Sequence, residues 1–526
     1  MLGLELVVVL GVCVLASSVA SGRLRVAAPV LLVGCGAVLG FVPGLQSVSL
    51  PPEAMLLIFL PALLYWESLT TSLREIRSNL RVIVLTSTVL VIATAAAIAW
   101  VGHALGLPWG PAWVLGAALA PTDATAVAAI ARGLPRRTTT VIKAESLIND
   151  GTALVIYGIA VAVTAGEARY SAGLVGWRFL LSYVGGAAAG LLCAWLVVQV
   201  RRRLDNPLHE SVVSVLTPFA AFLLAELVHG SGVIAVVAAG LTLSQIGPRL
   251  VRADARQQSE AFWRLSTFLL NGSLFVLIGV QAHGAIRTLD GAEVLTAFGT
   301  IGLVALTVVG TRVAWSNTTP YIIRALDRRP QQRLRRVGAR QRVVSTAAGF
   351  RGAVSLAAAL AVPETTTSGA PFPFREEIVL ITSGVVVLTL VVQSLLLPVI
   401  VRWAQLPEDT AVDEELRLAQ TTASEEAYEA LPVLADKVGV SDVVYKRVLA
   451  EYDHHLEVMR SAADGDEEAT QAEAEYAALR LELIAHKRAT VVRLRDERAI
   501  DDIVLRTVQA RLDVEEVRLS RREVDD

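Results

Sequence analysis

The sequence is poor in charge and in cysteine. Only 18% of its 526 residues are charged and 54% are hydrophobic, with a mean hydropathy of +0.56, which excludes an ordinary soluble globular protein. The three cysteines are odd in number and lie in apolar stretches, so neither a disulfide framework nor a metal site is indicated. No phosphate-binding loop is present, and HESVV at 209–213 lacks the second histidine of a zinc protease.

Apolar stretches of about 20 residues recur along the chain, and each is long enough to cross a bilayer. We predict an all-α polytopic membrane protein with about thirteen transmembrane helices. The predicted spans are 3–20, 26–45, 54–71, 82–102, 112–131, 141–164, 179–200, 211–229, 232–246, 260–282, 293–318, 343–362 and 377–401.

Charge divides the chain into a basic membrane part, 1–402, and an acidic tail, 403–526. The tail holds 16 Lys and Arg against 30 Asp and Glu, and the membrane part holds 31 against 19. Alternate connections between spans carry 23 Arg and Lys, whereas the opposite connections carry four. Positive charge stays inside, which predicts an outside N-terminus and a cytoplasmic tail. Ile500, Val504 and Val508 are four apart among charges and predict an amphipathic helix within that tail.

Polar residues interrupt three of the predicted spans. In 141–164, Ser146 and Asp150 share one helix face, and Glu145 and Asn149 share a second face about 100° away. Span 112–131 carries Pro121, Thr122 and Asp123, and span 343–362 carries Gly349, Arg351 and Gly352 at comparable depth. Two interrupted spans, one in each half of the chain, indicate a midplane ion site of a secondary transporter.

The charged groups in these spans have different expected roles. A buried carboxylate costs about 2.5–3.5 kcal/mol, so we expect Asp150 to be functional and not locked to Arg351. Arg351 cannot deprotonate, and we expect Glu145 to be its permanent partner. Asp123 is expected to contribute to the site directly or through water. Glu67 either belongs to the ion site or lies near the membrane interface, and the sequence leaves both readings open.

Four motifs occur in an order and at separations that resemble the sodium–proton exchanger branch of the cation:proton antiporters. They are PTDATAV (121–127), ESLINDG (145–151), SGVIAVVAAGL (231–241) and GFRGAVSLA (349–357), and LPALLYWES (60–68) is a looser version of a fifth. The resemblance covers residues 1–402 and not the tail. It implies inverted repeats, two crossed discontinuous helices at 112–131 and 343–362, and separate core and dimerisation subdomains.

The resemblance also implies roles for individual residues. The ion-binding aspartate falls on Asp150, supported by Ser146, Asp123, the backbone at Thr122, and Glu67. The core-stabilising Glu–Arg pair falls on Glu145 and Arg351. The Asn-Asp form of the motif, Asn149–Asp150, implies electroneutral exchange.

The sequence therefore predicts an antiporter that exchanges a monovalent cation, Na⁺ by preference, for H⁺ in the cell membrane. A K⁺/H⁺ antiporter is one alternative. An intramembrane aspartyl protease is the alternative from another class, but the aspartates stand in Thr-Asp and Asn-Asp rather than in the Tyr-Asp and Gly-x-Gly-Asp of such enzymes. We expect no cofactor, no enzymatic activity and no nucleic-acid partner. We also expect a homodimer in the lipid bilayer, with an unidentified regulator as a candidate ligand of the tail.

Overall fold

The structure is a computed structural model, and it describes residues 2–24, 26–42, 55–124, 127, 134–166, 172–287, 291–326, 338–407, 411–463 and 467–524. These residues form two compact units, Met1–Asp409 and Thr410–Asp526. Each unit is built from α-helices.

The first unit contains fifteen helices that the structure describes. They are α1 Leu2–Leu24, α2 Ala28–Leu39, α3 Leu60–Thr70, α4 Leu73–Val84, α5 Leu90–Ala104, α6 Trp109–Leu119, α7 Arg136–Thr164, α8 Ala172–Arg201, α9 Pro207–Leu227, α10 Gly232–Leu250, α11 Ala253–Arg287, α12 Gly291–Leu326, α13 Ala339–Ala347, α14 Ala353–Leu360 and α15 Arg375–Ala404. A π-helical turn, Met55–Phe59, precedes α3, and a second, Leu85–Val89, joins α4 to α5 as one continuous helix.

Within the described residues, nine helices are long and apolar enough to cross a membrane. They are α1, the continuous helix Leu73–Ala104, α7 to α12, and α15. Each coincides with a predicted span, which confirms a polytopic all-α fold, whereas the count of thirteen stays a prediction. The helix that contains the predicted span 82–102 begins earlier, at Leu73. Its first segment is charged and amphipathic, and Ser72 caps it by accepting a hydrogen bond from the Glu75 amide.

Both predicted interruptions are present in the described part of the chain. Helix α6 ends at Leu119, residues 121–123 are not helical, and the rest of the predicted span 112–131 lies almost entirely outside the described residues. The predicted span 343–362 is divided into α13 and α14 by the non-helical residues 349–352. Proline at 121 has no backbone N–H to continue a helix, which explains the first break.

The second unit consists of four described helices: α16 Ala411–Val438, α17 Asp442–Ala463, α18 Glu467–Asp496 and α19 Asp502–Val524. Helices α18 and α19 pack through Ile484, Leu512 and Leu519. The predicted amphipathic face is partly wrong, since Ile500 lies in the turn before α19 and Val504 is exposed. The face that packs inward contains Leu505 and Val508, followed by Leu512 and Leu519 at helical spacing.

Candidate ion site

The two non-helical segments cross in direct contact. The backbone N–H of Asp123 donates a hydrogen bond to the carbonyl oxygen of Phe350 at 3.0 Å. Gly352 is required for this approach, because a Cβ atom at that position would overlap the Asp123 carboxylate. The chain breaks its helices here and joins the two segments to each other, so that part of the backbone freed by each break is satisfied by the other.

Arg351 holds the crossing together through backbone oxygens. Its Nε donates to the carbonyl of Leu119 at 2.7 Å, and its guanidinium also donates to the carbonyl of Gly349 at 2.8 Å. The side chain is 2% exposed. Both acceptors lie where a helix ends, so Arg351 satisfies carbonyl groups that helix geometry leaves unpaired.

The expected pairing of Glu145 with Arg351 is wrong. Among the described residues, the ion partner of Glu145 is Arg312 on α12, at 2.6 Å between Arg312 Nη1 and Glu145 Oε1. Arg312 also donates to the carbonyl of Ser345 through Nε and Nη2, at 3.3 and 3.1 Å. Arg351 is engaged with the carbonyls of the crossing, and the buried Glu145 charge is compensated by Arg312.

Arg312 is therefore a supporting residue that the sequence reasoning did not place. A single arginine within an apolar span was a signal that some buried acid must face it. The neighbouring chain is shaped to admit its side chain, since a Cβ atom at Gly349 would lie 2.5 Å from Arg312 Nε. Arg312 thus ties α7, α12 and the end of α13 together beside the crossing.

Helix α7 fixes the first non-helical segment, residues 121–124, through two hydrogen bonds. The Asn149 amide donates to Thr122 Oγ1 at 2.6 Å, and the Ser146 hydroxyl accepts the backbone N–H of Ala124 at 3.2 Å. Ser146 and Asn149 are both buried. Because they stand one turn apart on α7, their two bonds hold the segment at two points along the helix.

Asp150 lies on α7 one turn after Ser146, and no ion pair compensates its charge within the described part of the chain. It is 4% exposed, and its Oδ1 atom has no hydrogen-bond partner among the described residues. The carboxyl groups of Asp123 and Glu67 are within electrostatic range, and both carry the same sign of charge. A bare carboxylate in such surroundings is unfavourable, so a proton or a cation is needed to neutralise it.

The other two predicted acidic ligands are less buried than Asp150. Asp123 and Glu67 are half-buried, and Glu67 interacts electrostatically with Asp123 and with Lys143. Across the described residues, no three His, Cys, Asp or Glu side chains are gathered closely enough to hold a metal ion. Within the described residues, Asp150 is therefore not part of a cage of three carboxylates.

A small cavity lies beside the crossing, on the side of Glu145 and Asn149. It is lined by Thr86, Leu90, Val91, Thr94, Ala120, Thr122, Glu145, Asn149, Arg312 and Arg351. Asn149 Oδ1, a buried acceptor, has no partner among the described residues. The π-helical turn Leu85–Val89 contributes Thr86 to this wall, in line with the frequent occurrence of π-turns at functional sites.

Comparisons with known proteins identify the family to which the chain is similar. Residues 8–403 match the model of the transmembrane sodium/hydrogen exchanger family. A Mycobacterium tuberculosis protein named as an uncharacterised Na⁺/H⁺ exchanger is 49% identical, over 98% of this chain and 96% of its own length. A sodium, potassium, lithium and rubidium/H⁺ antiporter of Bacillus pumilus is 30% identical, over 71% of this chain and 57% of its own length.

A solved structure supports the fold. The sodium–proton antiporter MjNhaP1 of Methanocaldococcus jannaschii at pH 8 aligns with a TM-score of 0.57 and 18% identity, covering 76% of this chain and 99% of its own. The relatives named above are exchangers and antiporters and not enzymes, which agrees with the expected class and does not support the aspartyl-protease alternative.

Proposed function

The chain belongs to the sodium/hydrogen exchanger family, and we propose that it exchanges Na⁺ for H⁺ by alternating access, with Asp150 as the carrier of both ions. The observation that carries this proposal is the buried Asp150 carboxyl group beside two crossed non-helical segments, with one oxygen unpaired among the described residues. In this proposal a gradient of either ion drives transport of the other ion in the opposite direction.

Exchange follows from competition for one charge. A carboxylate is neutralised by one proton or by one monovalent cation, and both cannot occupy it at once. Moving the bare charge through the barrier is too costly, at about 2.5–3.5 kcal/mol or more, so only the two neutralised forms cross. Each crossing in one direction with a cation then requires a return with a proton.

The oxygen ligands available suit a hard alkali cation. We propose that Asp150 and the Ser146 hydroxyl bind it with the Thr122 backbone, and that Asp123 and Glu67 contribute directly or through water. Na⁺ is the proposed substrate. The name of the Bacillus pumilus relative includes potassium and lithium, so K⁺ and Li⁺ are the competing substrates to measure.

The proposed exchange is electroneutral, because Asn149 leaves one carboxylate in the Asn149–Asp150 motif. We further propose a homodimer in the cell membrane with an outside N-terminus and a cytoplasmic tail. In this proposal residues 1–402 comprise core and dimerisation subdomains that perform transport, and residues 403–526 form a separate helical domain with a regulatory role.

The test is exchange in proteoliposomes with an imposed Na⁺ gradient. Asp150→Asn keeps the size of the side chain and removes its charge, and we expect it to abolish exchange while the protein remains folded. Glu226→Gln is the matched control, since it makes the same chemical change at an exposed position near the end of α9. Exchange near the wild-type rate in Asp150→Asn would refute the assignment. Replacing Na⁺ by K⁺ or Li⁺ in the same vesicles determines the cation.

A further inference from the structure

Thr152 lies on α7 two residues after Asp150, and its buried hydroxyl group contacts two other helices. The hydroxyl donates a hydrogen bond to the carbonyl oxygen of Ser87 at 2.7 Å, and it is also hydrogen-bonded to the hydroxyl of Tyr183 on α8. The carbonyl of Ile148, at 3.3 Å, is a more distant acceptor. A threonine hydroxyl has one proton, so the Tyr183 hydroxyl donates to Thr152 while Thr152 donates to Ser87. These three residues form one chain of hydrogen bonds across three helices.

Ser87 belongs to the π-helical turn Leu85–Val89, which joins α4 to α5. In this turn the Leu90 N–H donates to the Leu85 carbonyl, five residues earlier in the chain. Such turns are rare within α-helices, and they persist where the surroundings favour them over the α-helical form. The bond from the Thr152 hydroxyl to Ser87 is a contact of this kind, and it comes from the helix that carries Asp150.

The π-helical turn also forms part of the wall of the small cavity beside the crossing. Thr86 lines this cavity from the turn, and Leu90 and Val91 line it from the start of α5. Thr122 and Asn149, which are hydrogen-bonded to each other at 2.6 Å, line the same cavity. The position of the turn therefore affects the packing around Thr122, whose backbone is a proposed ligand of the cation.

Tyr183 is itself held firmly in place. The ring of Phe179 stacks on the Tyr183 ring, with the two centroids 4.9 Å apart, and α8 packs against α10. Helix α7 approaches α10 closely at the neighbouring position, because a Cβ atom at Gly151 would lie 2.5 Å from Ile234 Cδ1. The Tyr183 hydroxyl thus reaches α7 from a well-packed helix, at the level of the ion site.

We propose that Tyr183 is a positioning residue of the exchanger. Through Thr152, its hydroxyl holds the π-helical turn against α7 and keeps the cavity wall beside Thr122 and Asn149 in the geometry that binds the cation. This inference rests on the proposed antiport function. Tyr183 does not contact the transported ion in this account.

The expected consequence is weaker binding of the cation. When the geometry that binds a ligand is populated for only part of the time, the apparent Kd rises in proportion. The net contribution of one buried hydrogen bond corresponds to a change of about three- to tenfold in such an equilibrium. Asp150, which carries the ions, is unchanged, so the maximal rate of exchange should change much less than KM.

The experiment measures KM and kcat for Na⁺ in proteoliposomes. Tyr183→Phe removes only the donor hydroxyl, and Thr152→Val removes the hydroxyl that links the chain, which provides a second variant if the first folds poorly. Thr152→Ser keeps that hydroxyl and tests for rescue. Tyr157→Phe is the matched control, because Tyr157 is also a buried tyrosine near Asp150 on α7, but its hydroxyl has no partner among the described residues.

We expect Tyr183→Phe and Thr152→Val to raise KM for Na⁺ by about three- to tenfold with a much smaller change in kcat. Thr152→Ser should keep a KM near that of the wild type, and Tyr157→Phe should change neither constant. Because Tyr183 acts through Thr152, the double variant should have the KM of Thr152→Val alone.

Other results would overturn this assignment. They are an unchanged KM in folded Tyr183→Phe, an equal rise of KM in Tyr157→Phe, and a double variant in which the two single effects multiply. A loss of kcat with no change in KM would assign the bond a purely structural role. Failure of the antiport proposal itself would appear separately, as absence of exchange in wild-type vesicles.

Discussion

Glu145 and Asp150 are two carboxylates on one helix with the same burial and opposite surroundings. Their exposed fractions are 5% and 4%. Glu145 is paired with Arg312 at 2.6 Å, whereas Oδ1 of Asp150 has no partner among the described residues and its electrostatic neighbours are acidic. Burial by itself therefore does not identify a functional carboxylate. The uncompensated one is free to accept a proton or a cation, and the compensated one maintains the frame around it.

The largest effect that tests this contrast is on stability. Arg312→Met leaves the Glu145 charge buried without its partner, and we expect a loss of about 3–5 kcal/mol in the free energy of unfolding. Asp150→Asn removes an unfavourable buried charge, and we expect no loss. Melting of the two purified proteins in the same detergent measures the difference.

A double variant distinguishes the ion pair from simple packing. Replacing both partners, in Arg312→Met with Glu145→Leu, leaves no uncompensated charge, and we expect it to recover a large part of the lost stability. If Arg312→Met melts like wild type, or if Asp150→Asn is as unstable as Arg312→Met, the distinction between the two carboxylates is wrong.

Sequence reasoning located the two helix breaks but not the partner of Glu145, and the reason is physical. The breaks at Pro121 and at Gly349–Gly352, and the two polar faces of α7, are local properties that the chain displays at fixed spacing. Both arginines also donate to backbone carbonyls, so the partner of Glu145 depends on which of them the packed helices bring to it. The Arg312–Glu145 pair spans a chain separation of 167 residues, and no sequence pattern encodes that choice.

The cation itself provides the second test. A ligand that binds the folded protein stabilises it, by about 2.7 kcal/mol at a concentration one hundred times its Kd. At alkaline pH, where protons compete least, we expect Na⁺ to raise the melting temperature of the wild type and not that of Asp150→Asn.

The matched control for this measurement is choline, a monovalent cation that is too large to be coordinated by the side-chain and backbone oxygens of the proposed site. An equal shift with choline, or an equal Na⁺ shift in Asp150→Asn, would mean that the ion acts elsewhere. In either case the Asp150 carboxyl group would not be the group that binds Na⁺.

A smaller effect is expected at the bond that positions the first non-helical segment. Thr122→Val keeps the shape of the side chain and removes the oxygen that accepts from Asn149 at 2.6 Å. The Asn149 amide then keeps only its long bond to the Thr122 carbonyl, at 3.5 Å. A fully unsatisfied buried donor costs about 1–3 kcal/mol, so a modest loss of stability should accompany slower exchange. Thr94→Val alters another threonine that lines the adjoining cavity without this bond and serves as the control. Equal loss in the two variants would contradict the positioning role.

The smallest expected effect is that of membrane potential on the exchange rate. A one-for-one exchange moves no net charge, whereas an additional charge would gain or lose about 2.3 kcal/mol per 100 mV. Asn149 donates to Thr122 and has no charge to carry, so Asp150 is left as the carrier, and Asp123 and Glu67 are the groups that could add to it. In vesicles with a Na⁺ gradient, proton movement should not change when the potential is clamped with K⁺ and valinomycin, once K⁺ has been tested as a substrate.

A steep dependence of the exchange rate on voltage would mean that a second charge travels. Asp123→Asn should then remove that dependence, and its persistence would direct the search to Glu67.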